Sequence, residues 1–200
     1  MGSRSHQHPR CDTCHLHVEL CLCHTLPTLD LSTQVVLVLH YREARRPTNT
    51  GALALAALKR SELVMHGLPH QPLDLSAHHD ERRRVCLLYP AQDAPVLAPD
   101  AAGRPTTLIV PDGNWGQGRR IARRVAALPF VEPVGLPPGP PTRYRLRDEP
   151  KAEGLATMEA IARALGVLEG PVVQRQLEAV FDRYVERALW SRQRSGAPPR

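Results

Sequence analysis

Four cysteines fall within thirteen residues, as Cys11-Asp12-Thr13-Cys14 and Cys21-Leu22-Cys23. The spacing is C-x2-C, six residues, C-x-C. Four thiolates this close can surround one tetrahedral zinc ion. A segment so short cannot bury a core of its own, so metal binding would supply its folding energy. Two disulfides are the alternative, but they belong to oxidising compartments, and the polar, His-rich N-terminus shows no apolar signal segment. His15, His17 and His24 are near enough in sequence to replace one thiolate.

The second candidate for chemistry is Asp112, in the stretch Leu108-Ile109-Val110-Pro111-Asp112-Gly113-Asn114-Trp115. Thr106 to Val110 reads as a buried strand. Pro111-Asp112-Gly113 breaks it, and helical periodicity follows. At about 100° per residue, Trp115, Gly118, Ile121, Ala122, Val125 and Leu128 share one arc. Arg119, Arg120, Arg123 and Arg124 share the opposite arc. An acid at the carboxyl end of a strand, just before a helix, is where open α/β sheets hold ligands. The same residue would equally serve as the N-cap of that helix. Gly113 would let a backbone approach closely. Trp115 would either wall a pocket or pack at the helix start.

The third candidate group is basic. Net charge is +6, with 26 Lys and Arg, and only Lys59 and Lys151 are lysines. Arginine suits phosphate oxygens, so a clustered arginine face points to a polyanion, most simply nucleic acid; a merely solvated face is the other reading. Arg143, Arg145 and Arg147 alternate with Tyr144 and Leu146, so an extended chain would present them on one side. Arg45 and Arg46 precede a helix start capped by Thr48, Asn49 or Thr50, where free N–H groups also attract anions.

These groups need a frame. Two hundred residues, 42% hydrophobic, can fill one core, although only 4% are aromatic. No run approaches the roughly 20 apolar residues of a membrane span. Gln34–His40 and Arg84–Pro90 read as buried strands, with Glu62–His66 a shorter one. Helices are expected over 52–60, from Trp115, over 155–165 and over 171–190. Cys86 reads as a small core residue. Alternating strands and helices predict a mostly parallel sheet with helices on both faces. No G-x-G-x-x-G, Walker loop or G-x-S-x-G is present. The expected organisation is a zinc knuckle over 9–27, a catalytic domain over 30–190 and a disordered tail over 191–200.

Several stretches taken together resemble the DTW-domain family, the tRNA-uridine aminocarboxypropyltransferases. They are the C-x2-C, C-x-C knuckle; His40 through Arg46 into Pro47-Thr48-Asn49-Thr50-Gly51; Leu88-Tyr89-Pro90 with Asp112-Gly113-Asn114-Trp115; and Tyr144-Arg145-Leu146-Arg147 leading to Leu155-Ala156-Thr157-Met158-Glu159. Their joint order over residues 11–159 is specific. Two positions depart from the family's pattern: Asn114 stands where it has Thr, and Ala156 where it often has Ser.

The resemblance implies a fold related to the SPOUT methyltransferases, with a deep trefoil knot. It implies S-adenosylmethionine as donor of a 3-amino-3-carboxypropyl group to N3 of a uridine in tRNA, in the cytoplasm. Asp112 is then the candidate general base for the N3 proton, or the group that holds the methionine amino group or positions the base. The cofactor would lie across Leu88, Tyr89, Pro90, Asp112, Gly113, Asn114, Trp115, Tyr144, Leu146, Arg147 and Thr157. RNA would be held by Arg45, Arg46, Asn49, Arg119, Arg120, Arg123, Arg124, Arg143 and Arg145. The competing readings are methyl transfer on the same fold and a zinc-containing RNA-binding module without catalysis.

Overall fold

In the computed structural model, residues 9–44, 46, 48–91, 93–146 and 154–193 are described. Five strands form one sheet in the order β2-β1-β4-β3-β5. They are β1 (Gln34–His40), β2 (Ser61–His66), β3 (Arg84–Leu88), β4 (Thr106–Asp112) and β5 (Glu132–Val134). Every pairing between them is parallel. The α/β reading with a parallel sheet therefore holds.

The apolar run Val35–Leu39 is buried along its whole length, as a strand covered on both faces requires. Its side chains alternate between two cores. Val35 and Leu37 join Leu108 and Val110 against helices α1 (Gly51–Ala56), α3 (Thr157–Glu169) and α4 (Pro171–Gln193). Val36 and Val38 join Ile109 on the other face, beneath Ile121, Ala122 and Val125 of α2 (Trp115–Ala126). Helices thus cover both faces, as periodicity predicted.

Strand β4 runs two residues further than expected, through Pro111 and Asp112. Pairing with β3 stops at Leu87↔Ile109, whereas pairing with β1 continues to Leu39↔Asp112. Pro111 therefore lies where β4 has lost one neighbour, the position at which a sheet tolerates proline. Helix α1 is shorter than the expected 52–60. Helix α3 runs on to Glu169, stops at Gly170 (φ 104°), and α4 begins at once on Pro171. Glycine supplies the positive φ and proline suits a first helical position. Helix α4 extends to Gln193, into the stretch expected as tail; residues 194–200 lie outside the described residues.

The cysteine-rich segment packs into the larger core. Leu16, Leu20 and Leu22 are buried with Leu177, Phe181 and Tyr184 of α4. Arg187 Nη1 donates to the carbonyls of Leu20 (3.1 Å) and Cys21 (3.0 Å). No helix among the described residues is long and apolar enough to cross a membrane.

Candidate active site and metal centre

Asp112 ends β4 at the carboxyl edge of the sheet and is only 7% exposed. Its carboxylate is held from two directions. Thr157, the first residue of α3, donates from Oγ1 to Oδ1 at 2.8 Å. Asn49 donates from Nδ2 to Oδ2 at 3.0 Å. The Asn49 amide cannot flip, because its Oδ1 accepts the Gly51 and Ala52 N–H groups at 2.9 and 3.3 Å. Asn49 thus caps α1 and orients Asp112 with one side chain.

The N-cap role that Asp112 was offered falls instead to Asn114. Its Oδ1 accepts from Gln117 N at 2.9 Å, and the Gln117 Oε1 accepts from Asn114 N at 2.8 Å. This reciprocal pair is a capping box. Asn114 therefore keeps the cap that threonine would provide at this position. Ala156 has no side-chain oxygen for the corresponding job on α3. Half of that box survives, since Glu159 Oε2 accepts from Ala156 N at 3.0 Å.

Asp112 lines a narrow polar recess with Glu43, Thr48, Asn49, Thr50, Gly113 and Thr157. Glu43 is 4% exposed. Its Oε2 pairs with Arg46 Nε at 3.2 Å, while its buried Oε1 has no hydrogen-bond partner. A buried carboxylate oxygen left so is costly and marks a place for a donor or a cation. Gly51 makes the geometry feasible. A Cβ there would lie 2.5 Å from Asp112 Oδ2 and 2.7 Å from Leu37 Cδ2.

Glu43 was missed as a site residue, although it lies inside the stretch His40–Arg46 that carries the resemblance. Glu159 was missed too. Buried at the start of α3, it accepts from the Thr142 hydroxyl and from Arg143 N at 2.8 Å. It fixes the turn on which Tyr144 sits. Tyr144 stacks on Phe181, and its hydroxyl donates to the Thr48 carbonyl at 2.7 Å.

The other expected cofactor residues lie outside the lining of this recess. Leu88 and Leu146 are buried in the α1, α3, α4 core. Tyr89 packs on the opposite face, and burial pushes its phenol above the usual range. Pro90 is exposed, and Trp115 is half-buried at the start of α2. Of the expected set, only Asp112, Gly113 and Thr157 line the recess itself.

The arginines separate into groups. Arg119, Arg120, Arg123 and Arg124 are exposed along α2. Arg143 is exposed but ion-paired with Asp182 (2.8 Å) and Glu178 (3.4 Å) of α4. Arg145 is exposed, with Tyr144 and Leu146 buried on either side, as the alternation predicted. Arg46 is tied to Glu43. Asn49, expected at an RNA interface, is buried against Asp112 instead. Arg45 and Arg147 lie outside the described residues.

The Sγ atoms of Cys11, Cys14, Cys21 and Cys23 all lie within 4.8 Å of one another. Cys11–Cys23 is 3.6 Å and Cys14–Cys21 is 3.8 Å. No disulfide forms, and these separations far exceed a sulfur–sulfur bond of about 2.05 Å. They match the roughly 3.8 Å edge of a tetrahedron with metal–sulfur bonds of about 2.3 Å. His15 adopts φ 57° and closes the first turn, donating from its N–H to the Cys11 carbonyl at 2.9 Å. The cluster is a candidate metal centre. Cys86 stands apart, in the sheet, where burial pushes its thiol up to about 11; it is a core residue, as expected.

Together these features define a parallel α/β protein with a carboxylate site at the sheet's carboxyl edge and a four-cysteine knuckle docked on its last helix. The DTW-domain family model matches residues 8–189, and the chain belongs to that family. It is 30% identical over 175 residues to tRNA-uridine aminocarboxypropyltransferase 2 of Drosophila melanogaster, covering 84% of this chain and 69% of the fly protein. The proteins of the same name from Macaca fascicularis and Mus musculus are 27% and 28% identical over 177 residues. There the match covers 80% of this chain and 57% of the relative, so the chain spans little more than half of each. No solved structure gives a significant match.

Proposed function

We propose that this protein transfers the 3-amino-3-carboxypropyl group of S-adenosylmethionine to N3 of a uridine in tRNA, with release of 5′-methylthioadenosine. The relatives' names support the reaction class. The observation that carries it is the pair of buried carboxylates, Asp112 and Glu43, facing one recess at the sheet's carboxyl edge.

The residues fit the donor. A sulfonium and an α-ammonium are both cationic, and an orphaned carboxylate oxygen beside a second carboxylate is a donor set for cations. The bound donor would supply an electrophilic Cγ methylene. Asp112 takes the N3 proton, because uracil N3 is a poor nucleophile until it is lost. Thr157 and Asn49 hold that carboxylate, one at each oxygen. Glu43 holds the amino end of the methionine arm. Orientation decides which carbon reacts, so Glu43 is assigned the choice of Cγ over the methyl group.

The donor's remainder is assigned to the loops at 88–90, 113–115 and 144–147. Arg119, Arg120, Arg123, Arg124 and Arg145 are assigned to tRNA phosphates, which give affinity and salt dependence rather than sequence choice. The target uridine must be unpaired or flipped, because N3 is its Watson–Crick edge. Zinc in the cysteine knuckle is structural. The SPOUT relationship and the trefoil knot are part of the same proposal and rest on the motif resemblance. Thiolates of this kind suit a reducing compartment, hence the cytoplasm.

The test is a two-label transfer assay with unmodified tRNA transcript and S-adenosylmethionine labelled in the methyl or the carboxyl carbon. Carboxyl label entering tRNA, with methyl label left in methylthioadenosine, is the expected result. Methyl label alone entering tRNA would overturn it in favour of methyl transfer. Asp112→Asn is expected to lower transfer by about 10²–10⁴-fold and to leave tRNA affinity unchanged. No carboxyl transfer by the unaltered protein, with tRNA still bound, would leave a binding module.

A further inference from the structure

A second recess opens on the α2 face of the sheet, lined by His40, His66, Gly67, Gln117, Arg120 and Arg124. His40 and His66 are register partners at the ends of β1 and β2. The space is about 180 Å³. That holds several waters at about 30 Å³ each, yet is smaller than the roughly 300 Å³ at which cofactor pockets begin. Its occupant is therefore a small group.

Hydrogen bonding defines what kind. Arg124 Nη1 lies 3.1 Å from His66 Nε2. A guanidinium only donates, so Nε2 accepts and the His66 proton sits on Nδ1. That Nδ1 is buried without a partner, in a residue 6% exposed. His40 Nδ1 accepts the Arg42 N–H at 3.3 Å, which puts the His40 proton on Nε2. A Cβ at Gly67 (φ 88°) would lie 3.0 Å from that Nε2, so only glycine leaves that side of the ring open. The Gln117 Oε1 is occupied by the Asn114 N–H, leaving its NH₂ to face a ligand. Arg120 and Arg124 add guanidinium donors. The ring N–H groups of His40 and His66, the Gln117 NH₂ and the guanidinium groups of Arg120 and Arg124 are all donors, and none of the lining residues is acidic.

Such a lining complements a tetrahedral oxyanion. The recess also shares a wall with the carboxylate site. A Cβ on Gly113, which lines that site, would lie 2.8 Å from Gln117 Cβ and 3.5 Å from His40 Cβ. Asp112 faces the α1, α3 side, and His40 the α2 side, of the same sheet edge. We propose that this recess seats one backbone phosphate of the bound RNA, next to the nucleotide presented to Asp112. The inference rests on the tRNA reading above for the source of the phosphate, and on the lining alone for its chemistry.

Two measurements on the full chain test it, both without donor, so that failure of transfer chemistry leaves them interpretable. In the first, inorganic phosphate is titrated and the His40 and His66 ring resonances are followed. In the second, tRNA affinity is measured against salt. The expected result is that phosphate shifts both rings, that Arg124→Gln and Arg120→Gln abolish the shift, and that each variant weakens tRNA binding several-fold. Each should also reduce the slope of log affinity against log salt by about 0.7–0.9, the release of one phosphate contact. Both arginines are exposed on α2, so the variants are expected to keep the fold, checked by an unchanged far-UV circular dichroism spectrum. Arg175→Gln, exposed on α4, is the control expected to change neither. If the rings respond to phosphate but the tRNA slope is unchanged, the seat belongs to a free anion and the RNA assignment falls. If neither responds, the seat itself falls.

Discussion

Asn49 reaches Asp112 through the one end of its amide that α1 leaves available: Oδ1 is committed to the Gly51 and Ala52 N–H groups, and Nδ2 donates to Asp112 Oδ2 at 3.0 Å. Helix start and candidate catalytic carboxylate are thereby one mechanical unit. The strand end cannot move without disturbing the cap.

Replacing Asn49 by Asp keeps an oxygen for the cap but sets two buried carboxylates against each other. Like charges at that separation raise the pKa of one of them. A raised folded-state pKa makes the chain least stable above the ordinary carboxylate range and lets stability recover as pH falls. N49D is expected to lose about 1–3 kcal/mol at pH 8 and regain part of it by pH 5.5, measured by urea denaturation. Equal losses at both pH values would mean that the two side chains do not meet.

Gly51→Ala should raise helix propensity by about 1 kcal/mol if α1 were isolated. Here the added methyl meets Asp112 Oδ2 and the Leu37 side chain. The net expectation is destabilisation of about 1–3 kcal/mol together with loss of transfer, because the displaced atom is the carboxylate itself. A stabilised, fully active G51A protein would contradict the packing described for this site.

The cysteine cluster predicts one zinc ion per chain, countable by elemental analysis. Chelation, or Cys14→Ser, is expected to lower the melting temperature by several degrees and to expose Leu20 and Leu22, detectable as faster amide exchange over residues 11–26. A chain that stays metal-free on purification and melts identically with and without chelator would remove the metal centre.

His66 is held below its ordinary pKa, chiefly by burial, with Arg124 and His40 adding to the effect. Its folded-state pKa is depressed, so the unfolded chain takes up a proton first, near pH 6.5. Stability contributed by the neutral ring is therefore present above about pH 6.5 and declines as pH falls below it. Thermal melts between pH 7.5 and 5.5 should show this decline, and His66→Gln should flatten it. The same decline in H66Q would assign it to other groups.

Much of this was legible from local pattern. The uninterrupted apolar run at 35–39 read as a strand buried on both faces, and the two arcs of 115–128 separated core from arginine. The cysteine spacing carried its own geometry. What was not legible depends on contacts between distant residues. Glu43 stands between Arg42 and Ala44 in a charged stretch, where no local pattern marks it as buried. Only the apposition of β1 and β4, which are not consecutive in the chain, buries it beside Asp112. The local pattern placed the cap of α2 at Asp112, two residues too early. The choice of Asn114 follows from β4 continuing past Pro111, which no local propensity favours. The pairing of His40 with His66 likewise appears only once β1 and β2 are set in parallel register.

The bond from Arg187 to the Cys21 carbonyl joins residues 166 apart. At about 5–20 residues per second, a ribosome completes the knuckle on the order of 10–30 s before it makes the helix that receives it. During that interval Leu16, Leu20 and Leu22 lack the α4 side chains Leu177, Phe181 and Tyr184 that share their core. With zinc held by the four thiols as proposed, its capture by the nascent segment would be the local event that presents a finished surface to α4, and metal supply would determine yield rather than turnover.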